Sequence, residues 1–152
     1  MKNIVSLFAA CVGLAVCSAA HGADRPYIEY LNTPGGATTL PFSDAVRVGD
    51  LLYVSGKIGT VPGTRTLATG GIKEEARQTM ENVKRSVEAH GYAMKDVVKC
   101  TAILTDMSEF AAFNEVYVSF FGKPYPARTS MGASALSLNA RIEVECIAAK
   151  GK

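Results

Sequence analysis

An amphipathic helix, predicted over residues 73–90, constrains the fold more than any other stretch of this sequence. Its apolar positions recur at steps of four, three and four residues: Ala76, Met80, Val83 and Val87. That spacing puts them on one face of a helix, and charged side chains fill the other face. Because a single apolar stripe must be covered, we expect the helix to pack against a sheet.

Strand signals lie on both sides of this helix. Before it, residues 45–48 and 51–55 are two β-rich runs around a Gly-Asp pair, which predicts a hairpin. After it, residues 97–104 are rich in Val, Ile and Leu with polar residues between them, as in a strand. The sheet is therefore built from segments that are separated by the helix.

A second helix is predicted between Asp106 and Gly122. Its aromatic side chains recur at helical spacing: Phe110, Phe113, Tyr117 and Phe120. Such a stripe is more often part of a core than a ligand-binding box, and we interpret it as core. Asn114 lies beside the stripe, and as a polar residue it could reach a cleft.

Two further strands, 127–135 and 141–149, complete an α+β domain, in which a mixed sheet carries two helices on one face. We expect these two strands to form a hairpin. No sequence is left to cover the other face of the sheet, so self-association is the economical way to bury it.

Residues 1–22 have the order of a secretory signal peptide. A lysine is followed by an apolar run over residues 4–16 and then by small residues, with cleavage expected after Ala20 or Gly22. The run is too short for a comfortable membrane span. We therefore expect a periplasmic or secreted protein with no stable membrane association.

Cys17 leaves a lipid anchor as an alternative, which the bulky Val16 before it disfavours. After the signal peptide, residues 23–39 are rich in Gly, Pro, Thr and Asn and predict an irregular N-terminal arm. The domain itself is expected over residues 40–152.

Cleavage would leave two cysteines, Cys100 and Cys146. Both alternate with apolar neighbours, as buried strand residues do, and neither belongs to a Cys-x-x-Cys pair. An oxidising compartment would allow them to pair, but the pattern favours two buried, unreactive thiols.

Charge and histidine content exclude several classes of site. The net charge of +2 and the lack of a Lys/Arg-rich run give nucleic-acid binding no support. The two histidines are His21, in the cleavage region, and His90, at the end of a helix, which argues against a Ser-His-Asp site or a histidine metal site. With no glycine-rich phosphate loop either, we expect metal-free chemistry on a small substrate that carries a carboxylate.

Arg128 and Glu143 are the candidate working pair. Arg128 begins a strand among small residues, and its planar guanidinium suits a carboxylate. Glu143 shares a strand face with Glu145, where a carboxylate could handle a proton or a water. The predicted hairpin would bring the pair together. The alternative is that Arg128 is only an ion-pair partner of one of these glutamates.

Several blocks of the sequence resemble the Rid/YjgF family of reactive-intermediate (enamine/imine) deaminases, over about residues 40–150. The matching blocks occur in the family's order: 54–56, 76–83, 96–99, 110–121, 126–129 and 142–145. The resemblance implies a chorismate-mutase-like α+β fold. It also implies a homotrimer with clefts between neighbouring subunits.

The activity that this resemblance implies is hydrolytic deamination of 2-enamine and 2-imine acids, of the 2-aminoacrylate/2-iminopropionate type, without a cofactor. The products are a 2-oxo acid and ammonia. Arg128 would bind the substrate carboxylate, and Glu143 would position or deprotonate the attacking water. The other substrate-binding positions carried over are Phe42, Ser55, Gly56, Asn114 and Ser130.

Two of these positions depart from the family's pattern. Well-studied deaminase members have a tyrosine where this chain has Phe42 and a cysteine where it has Ser130. Phe42 keeps an apolar wall but offers no hydroxyl group. The alternative function is a non-catalytic protein of the same fold that binds small oxo acids. A ribonuclease, a label that the family also carries, ranks last because the sequence offers no basic groove.

Overall fold

The structure, a computed structural model, describes residues 26–33 and 40–151, so the predicted signal peptide lies outside the described residues. The helices and strands follow one another in this order: β1 (Ile28–Leu31), β2 (Ala45–Val48), β3 (Leu51–Ile58), α1 (Ile72–Ala89), β4 (Val97–Leu104), α2 (Phe110–Ser119), β5 (Ala127–Gly132) and β6 (Ile142–Ala149). In the described part of the chain, no helix is both long and apolar enough to span a membrane.

The strands form one mixed sheet in the order β1-β2-β3-β6-β4-β5. Neighbouring strands are antiparallel except β4 and β5, which are parallel. The last strand of the chain, β6, is inserted between β3 and β4. The helix α1 packs on β3 and β6, and α2 packs beside α1, so the α+β fold class is confirmed.

The helix α1 lies within one residue of the predicted range and buries the predicted stripe. The four stripe residues are completely buried: Ala76, Met80, Val83 and Val87. The chain leaves the helix through Gly91, which has φ +83°. This left-handed conformation is one that glycine adopts without strain.

The predicted hairpin is also confirmed, because β2 and β3 pair across a turn in which Gly49 has φ +57°. The strand β4 occupies the predicted residues 97–104. The prediction of an irregular arm over residues 23–39 is wrong at Ile28–Leu31. Within it, β1 forms an edge strand that pairs with β2.

The hairpin predicted for the last two strands is wrong. The strand β5 pairs in parallel with β4, with Arg128 opposite Cys100, while β6 lies on the other side of β4. The helix α2 supplies the crossover that a parallel pair needs. The strand β5 also ends at Gly132, earlier than the predicted residue 135.

Cys100 and Cys146 form a disulfide, so the prediction of two free thiols is wrong. They lie directly opposite each other on β4 and β6, with their Cα atoms 4.1 Å apart. Both are buried, as the alternation predicts. The two cysteines pair because β6 lies beside β4 in the sheet. They are 46 residues apart in the sequence, so no local pattern indicates that they are neighbours.

The face of the sheet away from the helices exposes large apolar side chains. Four of them are 36–75% exposed: Ile28, Tyr30, Leu51 and Tyr53. The patch is continuous, because Tyr53 is paired with Val46 on one side and with Ile147 on the other. Exposed apolar patches of this kind mark interaction surfaces. The sequence predicts that this face of the sheet has to be covered, and the structure shows that one protomer leaves it exposed.

Candidate active site

Arg128 lies on the helix-covered face of the sheet, on the edge strand β5. Its Nη2 donates a hydrogen bond to Asn114 Oδ1 on α2 at 2.8 Å, and its Cζ lies 4.5 Å from the centre of the Tyr117 ring. The side chain is partly exposed. Among the described residues, no carboxylate lies within ion-pair distance of it. The structure thus gives no support to an ion pair with Glu143 or Glu145.

Ser130 lies two residues further along β5 and faces the same side as Arg128. Its Oγ is buried and has no hydrogen-bond partner among the described residues. Within one protomer, this hydroxyl is therefore not presented to solvent. We call Arg128, Asn114 and Ser130 the arginine half-site.

Glu143 lies on the opposite, open face of the sheet. Its neighbours Ile142 and Val144 are completely buried, so the alternation of a strand turns Glu143 away from the helices. Its carboxylate lies over Gly56 of β3, where an added Cβ would come within 1.9 Å of Glu143 Oε1. Glycine at this position leaves the room that the carboxylate occupies.

Phe42 and Ser55 lie near Gly56. The Ser55 hydroxyl donates to the main-chain carbonyl of Ser43 at 2.7 Å, which places the segment carrying Phe42 beside β3. Phe42 is 56% exposed. The second group, which we call the glutamate half-site, is Glu143, Gly56, Ser55 and Phe42.

The predicted site residues thus form two groups rather than one. The strand β4 separates β5 from β6, so the strands that carry Arg128 and Glu143 are about 10 Å apart. The two half-sites also face opposite sides of the sheet. The prediction that a hairpin brings Arg128 and Glu143 together is wrong, and a substrate the size of an imino acid cannot contact both within one protomer.

Sequence reasoning missed a polar cluster around Asp44, which supports the glutamate half-site. Four side chains contact its carboxylate: Thr33, Lys57, Ser86 and His90. Lys57 follows Gly56 directly, and Asp44 comes two residues after Phe42, so their ion pair ties both segments together. The only sequence signal for this cluster is that Asp44 lies two residues after Phe42.

The cluster keeps the Asp44 carboxyl ionised. Burial alone would raise its pKa, but hydrogen bonds from Lys57, Ser86 and Thr33, together with the charge of Lys57, hold the pKa well below its usual value. His90 approaches the same carboxylate with Nε2 at 3.2 Å. Across residues 26–33 and 40–151, no three His, Cys, Asp or Glu side chains are grouped to hold a metal ion.

Known proteins match this chain over most of its length. The 2-iminobutanoate/2-iminopropanoate deaminase of Homo sapiens is 39% identical over 127 residues, which cover 84% of this chain and 91% of the human protein. The protein of that name from Dermatophagoides farinae is 44% identical over 107 residues, 70% of this chain and 84% of the mite protein.

The same likeness extends to solved structures and to a protein family. The crystal structure of E. coli TdcF with bound serine superposes with a TM-score of 0.71 at 33% identity, covering 82% of this chain and 98% of that one. The family described as Endoribonuclease L-PSP matches residues 33–150. Sequence and structure together show that the chain belongs to this family, the Rid/YjgF family.

Proposed function

We propose that this protein hydrolyses reactive 2-imine and 2-enamine acids, of the 2-iminopropionate/2-aminoacrylate type, to 2-oxo acids and ammonia. The observation that carries the proposal is Arg128, a partly exposed guanidinium with no carboxylate partner among the described residues. Such a group suits the carboxylate of a substrate. Relatives named 2-iminobutanoate/2-iminopropanoate deaminase support this reaction, and TdcF with its bound serine supports an amino-acid-like ligand.

The reaction needs a positioned water and a group that moves its proton. The water oxygen bonds to the imine carbon while the π electrons of the C=N bond move to nitrogen, which takes a proton. The C–N bond of the resulting carbinolamine then breaks as its hydroxyl proton passes to the leaving nitrogen, giving the 2-oxo acid and ammonia. The Glu143 carboxylate accepts the proton of the water and returns it to nitrogen, a role typically worth ~10²–10⁴-fold in rate. Arg128 holds the imine carbon within reach.

The active site on this proposal lies between the subunits of a homotrimer. Because the half-sites face opposite sides of one protomer, a single site takes Arg128 from one subunit and Glu143 from the next. In a closed ring of identical subunits, each protomer gives one half-site to each neighbour. The apolar patch around Tyr53 supports assembly, since it leaves a large surface that association would cover.

The first test is turnover of freshly generated 2-iminopropionate, followed as released ammonia. Arg128→Ala should lose most of the activity because the carboxylate clamp is removed. Arg77→Ala is the matched control: its side chain is 56% exposed and lies 4.0 Å from its nearest carboxylate, on Glu74. Equal rates for wild type and Arg128→Ala would reject the proposal. Binding of pyruvate without turnover of any imine would favour the alternative, a binding protein.

A complementation experiment tests whether the site is shared. Arg128→Ala and Glu143→Ala are each inactive alone and are then refolded together in equal amounts. If each site joins two subunits, a random mixture regains about a quarter of the wild-type activity, because one site in four receives both intact residues. A site inside one protomer would regain none.

We also propose export, with residues 1–22 removed as a signal peptide and the mature protein in the periplasm or outside the cell. The disulfide between Cys100 and Cys146 supports this, because such bonds persist mainly in oxidising compartments. Cell fractionation followed by N-terminal sequencing of the mature protein tests it. A cytoplasmic protein that retains residues 1–22 would contradict it.

A further inference from the structure

Three aromatic rings of α2 surround the guanidinium of Arg128. Its Cζ lies 4.5 Å from the centre of the Tyr117 ring, 5.4 Å from that of Phe110 and 5.7 Å from that of Phe113. All three distances lie within the range of cation–π attraction. We call these three rings the aromatic cage of Arg128.

The cage stabilises the cation without using its hydrogen-bond donors. A guanidinium has five N–H donors, and within the described residues only the Nη2 bond to Asn114 connects Arg128 to another side chain. A carboxylate partner would instead occupy the fork that a substrate carboxylate needs. The cage therefore holds the charge in a half-buried place and leaves donors free for a ligand.

Tyr117 is the central member of the cage. It is only 3% exposed, and its ring is held between Phe113 at 5.6 Å and Phe121 at 4.9 Å between ring centres. Its hydroxyl has no hydrogen-bond partner among the described residues, and burial raises its pKa. The ring, rather than the hydroxyl, makes the contact with Arg128.

We propose that Phe110, Phe113 and Tyr117 are positioning residues, which hold the Arg128 guanidinium in the direction that receives the substrate carboxylate. This inference rests on the proposed function, because it assigns the cage to the same site. The cage acts through Arg128 and makes no contact with the reacting carbon. Its loss therefore weakens substrate binding more than it slows the chemical step.

Tyr117→Leu removes the π face while keeping an apolar side chain. We expect KM for 2-iminopropionate and the Kd for pyruvate to rise about 10- to 30-fold, which corresponds to about 1.4–2 kcal/mol for a partly desolvated cation–π contact. The value of kcat should fall by less than about threefold. Phe110→Leu, at the more exposed side of the cage, should give a smaller change in the same direction.

Two further variants separate positioning from general destabilisation. Tyr117→Phe keeps the ring, and its KM should stay within about twofold of wild type if the ring is what positions Arg128. Val116→Ala creates a cavity in the same helix, at a residue that is 4% exposed and directly precedes Tyr117 in the sequence. It should lower the melting temperature without the selective rise in KM. An equal rise in KM for Val116→Ala would overturn the proposal.

A double-mutant cycle between Tyr117→Leu and Arg128→Ala tests the pair without any substrate. At a fixed protomer concentration, the effects of the two changes on the unfolding equilibrium constant should depart from additivity by more than about threefold. Additivity within about twofold would overturn the cage, whether or not the protein turns over imines. If the cycle shows coupling but wild-type protein neither binds pyruvate nor consumes imine, the proposed function has failed and the assignment of the cage to substrate binding fails with it.

Discussion

An added methyl group at Gly56 should displace the Glu143 carboxylate while leaving the fold intact. The Cβ of an alanine would lie 1.9 Å from Glu143 Oε1, whereas ordinary contact begins at 3.4 Å, so the oxygen must move by about 1.5 Å, the difference between the two. A misplacement of about 1 Å can cost on the order of 10²-fold in rate. We expect Gly56→Ala to lower kcat about 100-fold or more, with KM changed less than about threefold because the proposed mechanism assigns substrate binding to Arg128.

Steady-state kinetics on 2-iminopropionate measure both constants for this variant. The clash involves the end of a flexible side chain, and Gly56 has no left-handed φ, so the melting temperature should stay close to that of wild type. Gly122→Ala is the matched control, because no atom outside its own chain neighbours lies within 4 Å of its added Cβ. A Gly56→Ala variant with the wild-type kcat would refute the assignment of Glu143 as the group that moves the proton.

Three further changes test the disulfide, the polar cluster and the uncovered face. Replacing Cys100 and Cys146 by alanine should lower the free energy of unfolding by about 4 kcal/mol, because the disulfide closes a loop with a sequence separation of 46 and so restricts the unfolded chain. Urea unfolding at a fixed protomer concentration measures this loss. A loss below about 1 kcal/mol would contradict the prediction. Asp44→Asn should destabilise the protein at neutral pH by about 2 kcal/mol, because it removes a partly buried charge that accepts several hydrogen bonds. The lowered pKa of Asp44 stabilises the fold above about pH 4 and that stabilisation is lost as the pH falls further, so thermal unfolding below pH 4 should be less pH-dependent in Asp44→Asn than in wild type. Tyr53→Asp should prevent assembly and abolish turnover, as measured by light scattering and ammonia release, whereas the exposed loop change Tyr125→Asp should leave both unchanged.

The sequence predicts those elements whose signal is local. The helix α1, the β2–β3 hairpin and β4 each follow from a periodicity or a turn within a single stretch of about 20 residues or fewer. The position of β6 has no such local signal. The alternation of buried and exposed residues shows that it is a strand. Its insertion between β3 and β4 depends on the order of all the strands in the sheet, which no single stretch of sequence specifies.

The prediction of the site was restricted in the same way, because local patterns do not show which strands are neighbours. Chemistry alone marks Arg128 and Glu143 as candidates, because a guanidinium among small residues and a strand carboxylate are suited to a small acid. Alternation gives the relative facing of residues within one strand, but not between two strands that do not pair. The opposite facing of Arg128 and Glu143 was hidden for this reason. The disulfide was hidden for the same reason, since it too depends on which strands are neighbours.

The two half-sites are held in different ways, and the difference suits their proposed roles. Arg128 is fixed by three rings and by Asn114, as a clamp should be if it is to bind a carboxylate without first reorganising. Glu143 is placed by the space above Gly56, with no hydrogen bond to another described side chain. A base that must accept a proton and return it is best left without a fixed hydrogen-bond donor, because such a donor would occupy the oxygen that takes the proton. On the proposed mechanism one protomer does not hold both groups at one site, so assembly of subunits would bring the fixed Arg128 of one subunit to the Glu143 carboxylate of the next.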